Sequence, residues 1–395
     1  MILSEAYSAV QSILAPMSSD VFFDQVLGKH FVKISGGGAV RPGMLGSDPE
    51  KTILGAYATV APHLGCHAEE PIGAKPSPRA CADERDFRGL IELYHQRRYT
   101  IRVPSVRRLA PEVDGFCRAL EMIIHQPVSA EVFWSRGDAK APVHHDDYDL
   151  IAVQLRGRKR WFIATDPSPL PNAWPQIPET ATPQLGPHQE VEVEQGDLLY
   201  LPRGTRHRVD ALSDSLHVSI GFVPLTLREA IMASLDYLSD LDRSFREMAD
   251  GRLGSSILRN RFGALPQRVR EGTAKLASIC ADPDFVAQAL QLRSSRAISG
   301  LKELAPAGSG SALNIDSEMR HTPRAMSHLS GNSTKIDFSH PGGHLYIHRG
   351  ATEAVAFIAD TPRFRVRQIP GGLEDDVRLA LVEKFVAAGF LEVLP

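Results

Sequence analysis

The sequence predicts an α+β protein whose central part is a small antiparallel barrel or jelly roll. Short apolar segments follow one another between residues 129 and 223, and glycine-containing turns separate several of them. Segments of this length with turn residues between them are typical of antiparallel strands. Helical periodicity of apolar residues dominates before and after this part, so helices are expected to flank the barrel.

The segments before the barrel mix helices with a strand. The N-terminal residues MILSEAYSAVQSIL predict an amphipathic helix rather than a signal peptide. Phe31–Ile34 predicts a short strand, and Asp86–Arg97 and Pro111–His125 predict helices that pack beside the barrel. The glycine-rich residues 35–46 lack the G-K-[ST] of a phosphate loop and predict an irregular loop, in which Arg41 is the only charge.

The predicted barrel strands are mostly apolar and end at turn residues. In order they are Ser129–Ser135, Asp149–Leu155, Arg158–Ala164, Glu190–Val193, Leu198–Leu201 and Leu216–Val223. Arg156-Gly157 and Gly196-Asp197 are expected to form two of the connecting turns. Residues 166–188 are rich in proline and predict a long loop near the barrel mouth, either an exposed insertion or a lid that shapes the substrate site. Trp174 in this loop either contacts substrate or anchors the loop to its own domain.

Residues 144–147 read HHDD and contain two possible pairs of metal ligands. Residues i and i+2 of a strand point to the same face, so His144 can pair with Asp146, or His145 with Asp147. Periodicity alone does not choose between the two pairs. His207 follows a Pro/Gly turn and can supply a third ligand from another strand. Two histidines and one carboxylate with three open positions are the ligand set of non-haem Fe(II) oxygenases.

The order of these motifs resembles the Jumonji-C-type cupins related to the ribosomal oxygenases. The shared pattern is H-x-D-D, an apolar strand, L-x-G-x-K-x-W, and then G-D-x-x-x-x-P-x-G-x-x-H, and it covers about residues 22–223. The resemblance implies a double-stranded β-helix core of the cupin type, with Fe(II) and 2-oxoglutarate as cofactors and dioxygen as oxidant. It favours His144, Asp146 and His207 as the iron ligands. It also assigns Lys159 to the far carboxylate of 2-oxoglutarate.

Lys159 is the residue that would turn a metal site into a 2-oxoglutarate site. It shares one face of its strand with Trp161. A lysine that points into a barrel is costly unless an anion pairs with it, and the dianionic co-substrate provides one. The alternative is a solvated strand residue beside Arg158 and Arg160.

Other pocket positions are suggested by the strand that precedes the HHDD run. In the family this strand faces the co-substrate with polar residues, and Glu131, Phe133 and Ser135 fall near those places. Phe133 has no hydroxyl to donate, whereas Ser135 has one, and Ser219 on the last barrel strand is a further candidate. An ordinary packing or solvent role is equally open for each of them. His217 is interpreted as a histidine of the core or of a strand face.

Composition and charge exclude several classes of protein. The formal net charge is −3, so no basic excess indicates bulk nucleic-acid binding. The four cysteines contain no C-x-x-C pair, which favours free thiols in a reducing compartment over a zinc knuckle or a disulfide scaffold. No apolar run reaches membrane-spanning length. These observations favour a cytoplasmic enzyme with no membrane partner.

A length of 395 residues indicates two or three domains. The predicted boundaries are 1–224 for the catalytic domain with its N-terminal helices, 225–305 for a helical domain and 312–395 for a winged-helix-like domain. Thr226 and Glu229 form a capping box at the start of the helical domain. The apolar residues that follow at helical spacing are Ile231, Leu235, Leu238, Leu241 and Phe245. The resemblance implies that this region is a dimerisation module, so a homodimer is expected; the alternative is packing on the barrel.

The C-terminal part predicts helices with a small wing. Further helices are expected at Pro266–Ile279 and Asp284–Leu292, a linker at Pro306–Ser311, strands at Leu345–His348, Phe364–Ile369 and Phe390–Leu394, and a helix at Leu373–Ala388. The resemblance implies a winged-helix domain. That last helix opens with Glu374, Asp375 and Asp376, which repel phosphate, so nucleic acid is not the expected partner and protein or substrate docking is.

The function predicted from these features is hydroxylation of a side chain in a protein or peptide. The resemblance suggests Arg or His of a ribosomal protein, and a peptide natural product is an equally open substrate. The acidic residues Asp138, Asp147 and Asp149, expected near the mouth, would suit a basic substrate. Two rival hypotheses are a metal-binding cupin of non-oxygenase chemistry and a regulatory cupin joined to a DNA-binding winged helix.

Overall fold

The computed structural model describes residues 1–172, 184–248, 265–302 and 313–394. The chain forms two compact units, Met1–Pro224 and Leu225–Pro395. Trp174 and the predicted linker Pro306–Ser311 lie outside the described residues. Within the described ranges, no helix is both long enough and apolar enough to cross a membrane.

The first unit contains a helical layer and the barrel strands. Its helices are α1 (Leu3–Leu14), α2 (Ser19–Val21), α3 (Pro49–Gly55), α4 (Tyr57–Val60), α5 (Glu84–Gln96) and α6 (Pro111–Ile124). Its strands are β1 (Val32–Ile34), β2 (Gly65–His67), β3 (Thr100–Val103), β4 (Val128–Ser135), β5 (Lys140–His144), β6 (Asp149–Arg156), β7 (Arg158–Ala164), β8 (His188–Glu194), β9 (Leu198–Leu201), β10 (His207–Ala211) and β11 (Ser215–Phe222).

These strands form two antiparallel sheets. One sheet has seven strands in the order β1-β9-β6-β11-β4-β3-β2, and the other has four in the order β5-β10-β7-β8. From β4 to β11 the chain passes back and forth between the sheets, with the β7–β8 pair as the exception that stays in one of them. This connectivity is that of a double-stranded β-helix, or jelly roll, so the predicted α+β class and cupin core are confirmed.

The seven-stranded sheet is buried on both faces, and alternate residues of β11 show why. Leu216, Val218 and Ile220 belong to the apolar core that the sheet shares with the helices. His217 and Ser219 point the other way and line a cavity inside the barrel. The period of two along the strand therefore separates packing residues from residues available for chemistry.

Arg41 ties the N-terminal helix to the barrel. Its fully buried guanidinium donates hydrogen bonds to the carbonyl oxygens of Ile13 (2.7 Å), Ile34 (2.7 Å) and Gly196 (2.9 Å), and also to that of Ala15. These carbonyls belong to the end of α1, to β1 and to the turn before β9. The single charge of the predicted irregular loop thus serves several buried acceptors at once.

The second unit combines helices with two small sheets. Its helices are α7 (Leu227–Leu241), α8 (Leu265–Ile279), α9 (Pro283–Ser299), α10 (Thr352–Asp360) and α11 (Asp375–Ala387). Its strands are β12 (Glu318–His321), β13 (His328–Gly331), β14 (Lys335–His340), β15 (Gly343–His348), β16 (Arg363–Arg365) and β17 (Leu391–Val393). The sheet orders are β16-β12-β17 and β13-β14-β15. The Thr226–Glu229 capping box is confirmed, with both reciprocal hydrogen bonds present.

One predicted strand of this unit is too long. The strand predicted at Phe364–Ile369 ends at Arg365, and Val366–Gln368 is a 3₁₀ turn. The side chain of Gln368 accepts a hydrogen bond from the backbone of Arg365 at 2.7 Å, and this local bond closes the turn.

Candidate functional site

The strand register brings two of the predicted metal ligands together. His144 is the last residue of β5, His207 is the first of β10, and the two are direct cross-strand partners. Their rings lie 4.3 Å apart between centroids, and Nε2 of His207 lies 3.9 Å from Oδ2 of Asp146. One ligand atom from each of the three residues lies within 4.8 Å of the others. His145 and Asp147 instead have side chains that are 38% and 59% exposed.

The backbone sets the tautomer of both imidazoles. Nδ1 of His144 lies 2.8 Å from the carbonyl oxygen of Pro142, and Nδ1 of His207 lies 3.0 Å from that of Thr205. A carbonyl oxygen only accepts, so Nδ1 carries the proton in each ring and Nε2 keeps its lone pair. A carbonyl that holds the distal nitrogen in this way is the usual support of a metal-binding histidine.

Burial shifts the pKa of His207 and that of Asp146 in opposite directions. Burial, reinforced by His144, lowers the pKa of His207 to about 3, so this imidazole is neutral near pH 7. Burial raises the pKa of Asp146, and the Tyr148 hydroxyl that donates to its carboxylate opposes this shift. Both shifts oppose a buried charge, and a divalent metal ion would stabilise the ionised Asp146 carboxylate beside the neutral His207.

Lys159 lies deeper in the same cavity. Its side chain is 1% exposed, and burial lowers its pKa to about 7. Nζ lies 3.0 Å from Nδ1 of His217 and 3.4 Å from the carbonyl oxygen of Phe133. Among the residues that the structure describes, no carboxylate pairs with this lysine. Lys159 and Trp161 both line the cavity, as their shared strand face predicts.

Three other predicted pocket residues line the cavity but make different contacts there. Phe133, Ser135 and Ser219 all line the cavity. The Ser135 hydroxyl already shares a hydrogen bond of 3.0 Å with Thr100, and the Phe133 ring stacks on His217 at 5.2 Å between centroids.

Two of the acidic positions are engaged elsewhere. Glu131 pairs with Arg102 at 3.2 Å. Asp149, expected near the mouth, is instead buried and accepts a hydrogen bond from the Tyr200 hydroxyl. The expected position of Asp149 is therefore wrong, because it begins β6, a strand that is buried at every residue but Arg156.

Sequence reasoning interpreted His217 as a histidine of the core or of a strand face and did not single out His67, and both line the cavity. His217 shares a strand face with Ser219, and that period-two relation was the available signal. His67 lies on the short strand β2, with its ring 5.6 Å from that of Phe133 and 6.3 Å from that of His144. Its place in the cavity depends on the pairing of β2 with β3, for which no nearby motif exists.

The fold and the His-Asp-His cluster define a cupin with a candidate metal site, and a family model specifies its class. Residues 108–230 match the JmjC domain family, so the chain carries a JmjC domain and the resemblance inferred from the motifs is confirmed.

Curated relatives match about a third of the chain. Ribosomal oxygenase 2 of Rattus norvegicus is 30% identical over 154 residues, which cover 38% of this chain and 32% of the relative. The bifunctional lysine-specific demethylase and histidyl-hydroxylase NO66 of Drosophila persimilis is 27% identical over 160 residues, covering 36% of this chain and 23% of the relative. The matched stretch is thus about a third or less of each of these proteins.

Solved structures match nearly the whole chain. The ribosomal oxygenase YcfD of Escherichia coli in complex with cobalt and 2-oxoglutarate superposes with a TM-score of 0.57 and 16% identity, over 96% of this chain and 99% of that one. A second YcfD crystal structure gives 0.55 and 17%, over 96% and 98%. At these identities the likeness establishes the fold alone.

Proposed function

We propose that this protein is an Fe(II)- and 2-oxoglutarate-dependent oxygenase that hydroxylates a side chain of a protein or peptide. The observation that supports this proposal most directly is that one cavity contains both a His-Asp-His cluster and a buried lysine. Among the described residues, this lysine has no carboxylate partner. The names of the relatives, ribosomal oxygenases and a histidyl-hydroxylase, support the same class of reaction.

The proposed iron ligands are Nε2 of His144, a carboxylate oxygen of Asp146 and Nε2 of His207. Their chemistry fits Fe(II), because two neutral imidazoles and one carboxylate bind it while leaving positions for a keto acid and for dioxygen. The Pro142 and Thr205 carbonyls would keep both rings oriented, and the Tyr148 hydroxyl would orient Asp146.

The proposed co-substrate anchor is Lys159. A charged amine inside a closed barrel fits the remote carboxylate of a dianion, since the attraction is strong where water is excluded. Phe133, Trp161 and Leu150 supply apolar walls that keep water from the site. When bound, Fe(II), 2-oxoglutarate and dioxygen supply the oxidising chemistry that inserts one oxygen atom into a C–H bond of the substrate, with succinate and carbon dioxide as co-products.

The test is an anaerobic titration of the full chain with Fe(II) and then with 2-oxoglutarate. We expect a visible absorption band only after both are present, because the keto acid must chelate the iron to produce it. Zn(II) in place of Fe(II) is the matched control and should give no band. A protein that binds Fe(II) normally and gives no band with saturating 2-oxoglutarate would contradict the proposed function.

The proposed substrate is an Arg or His side chain of a ribosomal protein, or a peptide natural product. The names of the relatives favour the ribosomal protein. Incubation of Fe(II)-loaded protein with 2-oxoglutarate, air and unmodified ribosomal proteins, followed by peptide mass spectrometry, should reveal a gain of one oxygen atom on one residue. Omission of 2-oxoglutarate is the control.

The proposed homodimer would use the helices of residues 225–305. Leu227 on α7 is 78% exposed, Ile231 on the same helix is 48% exposed, and Val269 on α8 is 58% exposed. Exposed apolar side chains on neighbouring helices are typical of a surface that a partner covers. Leu227→Glu with Ile231→Glu should shift the molar mass measured by light scattering to that of a monomer. Val377→Glu, at an exposed position on α11, should leave it unchanged.

The proposed role of residues 312–395 is a winged-helix-like element that docks protein rather than DNA. Strands β13, β14 and β15 form an antiparallel sheet that can serve as a wing. Helix α11 presents Asp375 and Asp376 in its first turn, which disfavours an approach to phosphate. Electrophoretic mobility of a mixed-sequence duplex should therefore be unchanged by the full chain at low salt.

A further inference from the structure

The contact between Lys159 and His217 joins the two sheets across the inside of the barrel. Lys159 lies on β7 of the four-stranded sheet, and His217 lies on β11 of the seven-stranded sheet. Nζ and Nδ1 are 3.0 Å apart, both side chains are buried, and both line the cavity. Among the described residues, no acidic group bonds to either of them.

The proton positions in this contact follow from the chemistry of the two groups. Burial and the neighbouring Lys159 lower the pKa of His217 well below its usual range, so the ring is neutral. A charged ammonium only donates, so Nδ1 of His217 accepts and the ring proton resides on Nε2. In the part of the chain that the structure describes, no residue accepts a hydrogen bond from Nε2.

Two aromatic rings hold His217 in this orientation. The Phe133 ring stacks on it at 5.2 Å with an interplanar angle of 22°, and the Trp161 ring lies 5.6 Å away. The backbone carbonyl of Phe133 also accepts from Lys159 at 3.4 Å. Two of the three hydrogens of the ammonium are thus engaged by the protein, and the third is left for a ligand.

Two basic groups buried against each other are unfavourable without an anion. Each loses hydration, and neither gains an opposite charge. A purely structural core contact would be served better by two apolar side chains of similar size. The arrangement therefore indicates a binding site for an anion inside the cavity.

We propose that His217 positions the Lys159 ammonium that binds the remote carboxylate of 2-oxoglutarate. Nδ1 of His217 accepts a hydrogen bond from the ammonium and holds it in the cavity, which leaves its third hydrogen for the carboxylate. This inference rests on the proposed function, since it specifies how the same cavity recognises its keto acid. His217 is then a positioning residue, because it acts through Lys159 on the one carboxylate that distinguishes 2-oxoglutarate from a short keto acid.

The test compares 2-oxoglutarate with pyruvate, a keto acid that lacks the remote carboxylate. Both are titrated anaerobically into the Fe(II)-loaded full chain, and the visible absorption gives each dissociation constant. His217→Leu should weaken 2-oxoglutarate binding about 10- to 100-fold, the size expected when one hydrogen bond to a charged group is lost. Pyruvate binding and Co(II) binding should stay within about twofold of wild type, which also shows that the variant folds.

Conservative variants separate the two nitrogen atoms of His217. His217→Asn keeps an acceptor near the position of Nδ1, and His217→Gln keeps a donor near that of Nε2. His217→Asn should restore part of the affinity for 2-oxoglutarate that His217→Leu loses, and His217→Gln should not. No recovery in His217→Asn, or equal recovery in His217→Gln, would overturn the assignment of Nδ1 as the acceptor that positions Lys159.

Further outcomes would overturn the proposal directly. Unchanged 2-oxoglutarate affinity in His217→Leu would show that Lys159 acts alone. An equal loss for 2-oxoglutarate and pyruvate would show that His217 only supports the shape of the cavity. If wild-type protein bound neither keto acid, the proposed function would fail together with this inference, and that result is distinct from a failure confined to the variants.

Discussion

His144 and His207 are direct neighbours on two antiparallel strands, and their rings lie 4.3 Å apart. This register selects one of the two ligand pairs in the HHDD run, because it directs His144 towards Asp146 and His207 and leaves His145 exposed. We expect His144→Ala to abolish stoichiometric Co(II) binding, measured by visible absorption. The adjacent His145→Ala is the matched control and should bind Co(II) as wild type does. The reverse result would mean that the other pair holds the metal.

Replacement of the buried lysine should stabilise the metal-free protein. Burial lowers the pKa of Lys159 from 10.5 to about 7, which corresponds to a penalty on the order of 5 kcal/mol for the charged form. Lys159→Met removes this penalty and the 2-oxoglutarate affinity together. Urea denaturation near neutral pH should therefore show a higher free energy of unfolding.

The size of this stabilisation depends on pH. A lysine with a lowered pKa in the folded state destabilises fully below about pH 7, and the penalty disappears as the pH approaches 10.5. The advantage of Lys159→Met should shrink accordingly in alkaline buffer. Lys140→Met, at a partly exposed lysine paired with Glu70, should change stability by less than about 0.5 kcal/mol. A Lys159→Met variant less stable than wild type at pH 7 would contradict the burial argument.

The affinity for 2-oxoglutarate should fall as the pH rises above about 7. Only the charged form of Lys159 attracts the remote carboxylate, and above its pKa of about 7 the free protein must first take up a proton. The dissociation constant should approach a tenfold rise per pH unit. Anaerobic titrations between about pH 7 and 8.5 measure it, and pyruvate, which does not reach the lysine, should show a flat profile. A flat profile for 2-oxoglutarate would show that the lysine keeps its charge throughout.

Substitution of Arg41 should destabilise the first unit and leave the cavity lining unchanged, because Arg41 does not line the cavity. Its guanidinium serves the carbonyls of Ile13, Ala15, Ile34 and Gly196, and Arg41→Met would leave these buried acceptors without a donor. An unsatisfied buried polar group costs about 1–3 kcal/mol, so we expect a loss of at least about 3 kcal/mol in thermal or urea unfolding. Arg85→Met, at an exposed arginine, is the control. A loss below about 1 kcal/mol for Arg41→Met would show that the carbonyls find other donors.

Local patterns were sufficient to predict most elements and the chemical types at the site. The capping box at Thr226 and the turn at Gly157 depend on neighbours in the chain, and both could be recognised directly. The end of the strand at Arg365 could not, because the side chain of Gln368 competes there with the sheet for the backbone. Likewise β12, β13 and β14 are short and contain many polar residues, so they lack the apolar pattern by which strands are recognised.

The sequence by itself determined the jelly-roll core, the spacing of His144 and Asp146, and the turn that carries His207, because period-two alternation and turn chemistry are local properties. Only the tertiary structure decided which HHDD pair meets His207 and which groups surround Lys159. Both depend on the pairing of strands distant in the chain: β5 with β10, and β11 opposite β7 across the barrel. Long-range strand pairing also places His217 and His67 in the cavity lining and buries Asp149, which the sequence analysis expected near the mouth.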